Sequence, residues 1–365
     1  EMLSCLVGSE MCIRDSNWAK ADSRFDLSKE VNEPNKVGYV VEIDPLNPNS
    51  TPKKHTALGR FKHENAELVI SKDGKIIVYM GDDERGEYLY KYVSNESINE
   101  VKDKSTLLSN GNLYVAKFND NFTGEWLLLD TQTTGLSSKA EVCIFTRLAA
   151  SKVGATTMDR PEWIASNPKK NEVCCCLTNN KNRGIKTNKG GDKVDVDKVN
   201  PRKNNKYGQI VRWKPRDNNH SSVYFEWDLF VVAGNPNVHD DYNRGSKNID
   251  KENMFNSPDG LKFDKYGRLW IQTDGNYSNS GDFKGMGNNQ MLIADTNTGK
   301  IKRFMVGPKE CEVTGLTFAP DYKTVFVGIQ HPGERLGSNF PDNGNNKPRS
   351  CIIAIQKKDG SEILT

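Results

Sequence analysis

Four stretches of this sequence share one plan, and that plan limits the folds open to the chain. Each has a carboxylate, a short β-prone run, a polar turn, a second apolar run and a closing polar pair. The clearest runs from Ser257 to Asn276, SPDGLKFDKYGRLWIQTDGN. Asp259 opens it, Lys265, Tyr266 and Gly267 make the turn, and Asp274, Gly275 and Asn276 close it. The others run from Glu64 to Asp82 and Asp83, from Glu162 to Asn179 and Asn180, and from Glu312 to Gln330 and His331. Opening acid and closing group stand 17 or 18 residues apart in every copy. Turn residues between two β-prone runs mark a hairpin, and four hairpins of equal length argue for one repeated unit.

The repeated unit is larger than a hairpin. YLYKYVS, LYVAKF and GEWLLL follow the Glu64 copy, and GQIVRWKP and SVYFEWDLFVV follow the Glu162 copy. MLIADTNTGKIKRFMVG follows the Asp259 copy, and CIIAIQKK follows the last, with no clear fourth strand after it. Four-stranded units repeated around an axis are propeller blades. The fold expected is therefore all-β, a β-propeller with blades over 64–365. GYVVEIDP and TALGRFK read as two strands, the outer half of an upstream blade, so 17–63 is a remnant and the total is about four and a half blades.

The openings stand 98, 97 and 53 residues apart. A bare propeller blade takes about 40 to 50 residues, so the first two blades carry insertions. One is a short helix over about 138–153, with Val142, Phe145 and Ala149 recurring at helical spacing. The other is the basic loop 184–206, expected to be solvated and mobile because it shows no aromatic or apolar anchor. Residues 1–16, EMLSCLVGSEMCIRDS, lack the basic and apolar regions of a signal peptide. They resemble a translated sequencing adapter, which makes a non-native peptide followed by a carboxyl-terminal fragment the expectation.

Composition narrows the partners. Against 51 basic residues stand 48 acidic ones, a net charge of +3 that gives no reason to expect nucleic acid or a membrane surface. No apolar run approaches the roughly 20 residues that span a bilayer, and the mean hydropathy is −0.71. The eight cysteines follow no framework spacing. Cys174, Cys175 and Cys176 are consecutive on an expected strand, where side chains alternate faces, so they read as buried small apolar groups. None of the five histidines pairs at zinc-motif spacing, and no G-x-S-x-G, Walker loop or complete G-x-G-x-x-G is present.

In a propeller the first strand of each blade lines the central channel. Glu64, Glu162, Asp259 and Glu312 are thus expected at one mouth, with Asp82, Asn180, Asp274, Asn276 and Gln330 around them. Singly, such acids cap turns or pair with rim lysines. Four in one partly dry place repel one another and call for cations. Oxygen-rich clusters suit hard ions such as calcium, or ferric iron when the ligands are anionic. Arg160 stands two residues before Glu162 in MDRPE and offers either a fork for a tetrahedral oxyanion or a salt bridge to Glu162 or Asp159. Thr314 and His331 are also placed to reach the funnel.

GRFKHENAEL, YMGDDERGEYLYKYVS, GATTMDRPEW, LTNNKNRG, SPDGLKFDKYGRLWIQTDGN, EVTGLTFAPD and IQHPGE resemble the motifs of PhoX-type alkaline phosphatases over almost all of 38–365. The resemblance implies a six-bladed propeller exported to the periplasm, often by the twin-arginine route. It implies hydrolysis of small-molecule phosphate monoesters at a cluster of Fe(III) and Ca2+, by a monomer. By motif, Glu64, Glu162, Asp259 and Glu312 are implied metal ligands, and Arg160 the phosphate binder. One departure stands out. The family's W-G-T-W-L-T-C-E-E motif, with its iron-ligating cysteine, is missing upstream of VEIDP, and neither Cys5 nor Cys12 lies in such a motif. The chain as given is therefore expected to bind metal poorly and to be inactive, unlike its intact parent. Two rival readings use the same architecture: a calcium-dependent lactonase-like enzyme, and a non-catalytic binding propeller whose acids decorate the rim.

Overall fold

Antiparallel strands follow one another in sequence order through residues 18–363, the part of the chain that the computed structural model describes. The adapter-like segment 1–16, with Cys5 and Cys12, lies outside these residues. The chain falls into two units. One holds the residues up to Pro161 with Thr187–Val194 and Lys214–Glu226, and the other holds Glu162–Lys186, Asp195–Trp213 and the residues from Trp227 onward.

In the first unit β1 (Val40–Glu42) pairs with β2 (Lys53–His55). The second strand thus lies before TALGRFK. Thr56–Leu58 instead forms one 3-10 turn, because Leu58 is drawn fully into the core and Gly59 follows with φ +82. A Cβ at Gly59 would lie 2.9 Å from Leu113 and Thr146, so glycine serves both the backbone and the packing there. Next come β3 (His63–Ile70), β4 (Lys75–Asp82), β5 (Leu89–Ser97), β6 (Gly111–Phe118) and β7 (Thr123–Leu129), an antiparallel meander paired in order. Tyr224–Glu226 add antiparallel to β7. The unbroken run KIIVYMGD of β4 lies inside the meander, buried almost from end to end. Lys91 on β5 is also fully buried. It donates to the Ser222 carbonyl at 2.7 Å and sits 4.9 Å from the Trp126 ring centre, and burial pulls its pKa well below the usual ammonium range.

The helical insertion is present in three pieces, Thr131–Thr134, Lys139–Ile144 and Thr146–Lys152. Asp130 and Ser138 cap the first two. Val142 and Ala149 are buried, as their spacing suggests. Phe145 is not: it sits at the break between two helices with φ −102 and ψ 45, and is 42% exposed. The loop 184–206 also differs from expectation, because Val194 and Val199 bury themselves as apolar anchors. Asp192 ties its first-unit part down by accepting from Tyr88, Ser151 and Asn188.

The second unit continues the repeat. β8 (Pro161–Ser166), β9 (Val173–Leu177), β10 (Gln209–Pro215) and β11 (Tyr224–Val232) neighbour one another in order, with only the terminal residues of β8, β10 and β11 assigned to the first unit. β12 (Pro258–Phe263), β13 (Arg268–Thr273), β14 (Gln290–Asp295) and β15 (Ile301–Val306) make a four-stranded sheet. β16 (Glu312–Phe318), β17 (Thr324–Gln330) and β18 (Cys351–Gln356) make a three-stranded one, with no fourth strand among the described residues. These successive antiparallel sheets give the chain a β-propeller-like fold. Cys174 and Cys176 pack in the apolar core with Ile210, Leu261 and Leu269, and Cys175 is equally buried between them in sequence. No helix is long and apolar enough to cross a membrane, among the described residues.

The β12–β13 turn shows how a hairpin of this kind is fixed. Asp264 is fully buried and accepts from the Tyr266 and Arg268 amides, from Arg268 Nε at 2.8 Å and from Trp270 Nε1 at 3.1 Å. One carboxylate therefore closes the turn and satisfies the indole buried behind it. Replacing Asp264 with alanine leaves those donors unmet, and the expected loss of stability is about 2–4 kcal/mol. Urea unfolding measures it, and an unchanged midpoint would show that the carboxylate holds nothing.

Candidate active site

The strands that open the blades present their acids in a regular way. Glu64, Glu162 and Asp259 are the second residues of β3, β8 and β12, and Glu312 is the first of β16. Two residues before the last three of these acids stand Arg160, Ser257 and Glu310, with φ of 56, 50 and 59. Left-handed backbone is costly for such residues and persists only where surrounding contacts impose it. Strand pairing also slips between His63 and Ala66, Pro258 and Leu261, and Thr314 and Thr317. Bulges at strand openings re-aim the side chains next to them.

In the second unit three expected residues meet. Asp274, Glu312 and His331 each offer a ligand atom, and these atoms lie within 4.8 Å of one another. Gln330 Nε2 donates to Glu312 Oε2 at 2.6 Å, and His331 Nε2 lies 3.6 Å from the same oxygen. Burial pushes the Glu312 carboxyl up to about 7, and the Asp274 charge pushes the same way, against bonds from Thr314 and His331. His331 Nδ1 is buried without a hydrogen-bond partner. Two carboxylates and an imidazole with an unused nitrogen form a donor set that fits a cation, and the imidazole suits iron better than calcium.

Glu162 and Asp259 are buried in the same unit, and both lie close enough to Cys176 for their charges to act on its thiol. Two of the outer residues are engaged elsewhere at least in part, Asn180 keeping a buried Nδ2 without a hydrogen-bond partner. Asn276 is exposed and accepts from the Ser278 amide, so it caps a loop instead of facing the cluster. Asn180 is fully buried, bridged by its backbone to Asn205, and its side-chain oxygen accepts from Asn182.

In the first unit Glu64 is matched by Asp83, not Asp82: a carboxylate oxygen of each lies within 4.8 Å of the other. Asp82 points the opposite way. It is fully buried and takes two 2.7 Å bonds from Arg147 of the helical insertion. Adjacent residues on an extended segment face opposite sides, and GDDERG gives no hint which aspartate turns outward. Arg160 forks onto Asp83, with Nε at 2.7 Å and Nη2 at 3.0 Å. Asp83 is thus an ion-pair partner that the sequence did not suggest, and it holds the guanidinium plane fixed.

Beside this group lies a cavity of about 480 Å³, lined by Arg60, Phe61, Lys62, Glu87, Arg147 and Lys189 among others. Lys62 connects it to the acids, because its carbonyl accepts from the Asp83 amide at 3.0 Å. Glu87 is buried, and its Oε2 has no hydrogen bond, the nearest guanidinium nitrogen being Arg147 Nε at 3.6 Å. Burial and the Asp82 charge push its carboxyl up to about 8, with Asp192 and Glu84 adding to the rise and Arg147 opposing it.

Comparison with known proteins fits this arrangement. The family model described as Alkaline phosphatase PhoX matches residues 8–333, and the chain belongs to that family. Among solved structures, Pseudomonas fluorescens PhoX in complex with vanadate, a transition state analogue, is 55% identical with a TM-score of 0.90. The match covers 96% of this chain and 62% of that one, so the chain spans less than two thirds of that relative's length. A gluconolactonase from Xanthomonas campestris is 11% identical with a TM-score of 0.32, over 80% of this chain and 62% of its own. A luciferin-regenerating enzyme is 10% identical with a TM-score of 0.32, over 82% of this chain and 78% of its own. Likeness at that level carries no argument. No curated protein matches the sequence.

The Glu87 group gives a test of these electrostatics. The folded form keeps a proton that the unfolded chain releases near its ordinary value of 4.5. This carboxyl therefore favours folding most below that pH, and its contribution is lost as pH rises to about 8. Glu87→Gln keeps the neutral shape and removes the titration. Thermal unfolding across that range should show a flatter dependence of Tm on pH in the variant. Parallel curves for the two proteins would contradict the protonated Glu87.

Proposed function

We propose that the protein hydrolyses small-molecule phosphate monoesters, with iron and calcium ions held by carboxylates at the blade openings. The observation that carries the reading is the meeting of Asp274, Glu312 and His331 within 4.8 Å, in a member of the PhoX family. On this reading Asp274, Glu312 and His331 hold one ion and Glu64 with Asp83 contributes to another. Glu162 and Asp259 supply further ligands. The ions, when bound, polarise phosphoryl oxygens and neutralise charge as it develops.

The chain's own residues do the rest. Arg160, its plane set by Asp83, donates to the oxygens of the transferred group and favours the state in which they carry most charge. Gln330 and Thr314 hold the Glu312 carboxylate in one orientation. The cavity behind Lys62 receives the organic part of the ester against Phe61, Ile144 and Leu148, and keeps water from it. The relative solved with vanadate, a transition state analogue, supports an oxyanion of that kind as the group recognised. A periplasmic setting and action as a monomer complete the proposal.

Two measurements on the protein from its complete reading frame test this. Chelation should abolish turnover of a chromogenic phosphomonoester, and restored iron and calcium should recover it; full activity in the chelated protein would end the metal reading. Arg160→Gln should lower kcat/KM by roughly 100-fold or more, with metal content unchanged. Hydrolysis of lactones in place of phosphate esters would favour the lactonase-like alternative.

A further inference from the structure

Arg85 stands out among the charged groups of the first unit. Its segment is pinned to the one that carries Arg160. Gly86 N donates to Met158 O at 3.0 Å, Met158 N donates to Glu87 O at 2.8 Å, and Arg85 and Asp159 form a β-bridge. The pinning brings two guanidinium groups together, close enough that the Arg160 charge acts directly on Arg85. Like charges held side by side in a half-buried place are unfavourable unless an anion joins them.

The neighbouring acids do not supply that anion. Asp83 is forked by Arg160, and Glu84 is shared by Lys62 at 3.0 Å and Lys189 at 2.9 Å. Their charges offset part of the repulsion felt by Arg85, yet neither carboxylate bonds to it. Among the described residues the Arg85 guanidinium has no hydrogen-bond or ion-pair partner, and its Nε is buried without one. A buried donor left unmet is costly, and structures keep few of them.

We propose that Arg85 is a second phosphoryl-binding residue, which with Arg160 clasps the terminal oxygens of a phosphate monoester from two directions. The choice of ligand follows from donor geometry. A guanidinium fork matches two oxygens, and a phosphoryl group presents three, so it can fill the Arg85 fork and still meet Arg160 with the third, whereas a carboxylate presents only two. The assignment rests on the phosphatase reading above and narrows it: dianionic monoesters gain from both arginines, and diesters, with fewer free oxygens, gain less.

The test uses Arg85→Gln and Arg85→Lys in the protein from its complete reading frame, loaded with metal. Calorimetry with inorganic phosphate and inhibition by orthovanadate report binding, while Tm and metal content report the fold. Arg85→Gln should weaken phosphate and vanadate binding at least tenfold and raise KM for a monoester, with Tm and metal content held. Arg85→Lys keeps the charge without the fork and should fall between the two; it also serves if the glutamine variant fails to fold. Wild-type phosphate affinity in both variants, or a fall in Tm without a change in affinity, would overturn the assignment. A wild type that binds phosphate through Arg85 but turns over no monoester would leave the assignment standing and remove the phosphatase reading instead. A wild type that binds no phosphate overturns the assignment outright.

Discussion

Repulsion between the neighbouring carboxylates of Asp274 and Glu312 is the constraint on which the candidate site depends. A propeller-like fold must begin each blade at a strand end, and this chain places an acid at each such end. Burial pushes the Glu312 carboxyl upward, and the Asp274 charge beside it pushes the same way. Bringing Asp274 and Glu312 together is unfavourable unless something positive shares the space. Bulges and left-handed residues next to the acids show that the backbone is bent to keep them there. Strain retained at one kind of position in successive blades points to a use for it.

Around those acids the positive groups are sorted by task. Arg147 neutralises Asp82 and ties the helical insertion to the end of β4. Arg160 is locked by Asp83, and Lys62 and Lys189 share Glu84. Each of these pairs removes the freedom of a long side chain and so fixes the shape of the place where a ligand would sit. The first unit is in this respect an electrostatic frame that leaves Arg85 Nε unspent, and the carboxylate–imidazole knot of the second leaves His331 Nδ1 unspent.

Much of this was legible from residue order. The hairpin plan located every blade-opening strand, and the polar pair after the second strand led to Asp274 and His331, which do meet Glu312. Where the reading slipped, the reason was local geometry. Asp82 and Asp83 differ only in which side of an extended segment they face, and spacing could not choose between them. Phe145 keeps helical spacing with Val142 and Ala149, but a break between two short helices turns it outward. Val194 and Val199 are too sparse in a basic loop to register as anchors, although both are buried. Arg85 was invisible as a candidate because its character lies in what its neighbours leave unpaired, a property of three-dimensional packing.

The central claim is that cations, and not protons or lysines, reconcile these acids. The most direct measurement is anomalous X-ray scattering at the iron edge from crystals of the protein produced from its complete reading frame. The account predicts a peak within bonding distance of Asp274, Glu312 and His331. An ordered water at that point, with no anomalous signal in a protein that hydrolyses phosphomonoesters, would contradict it.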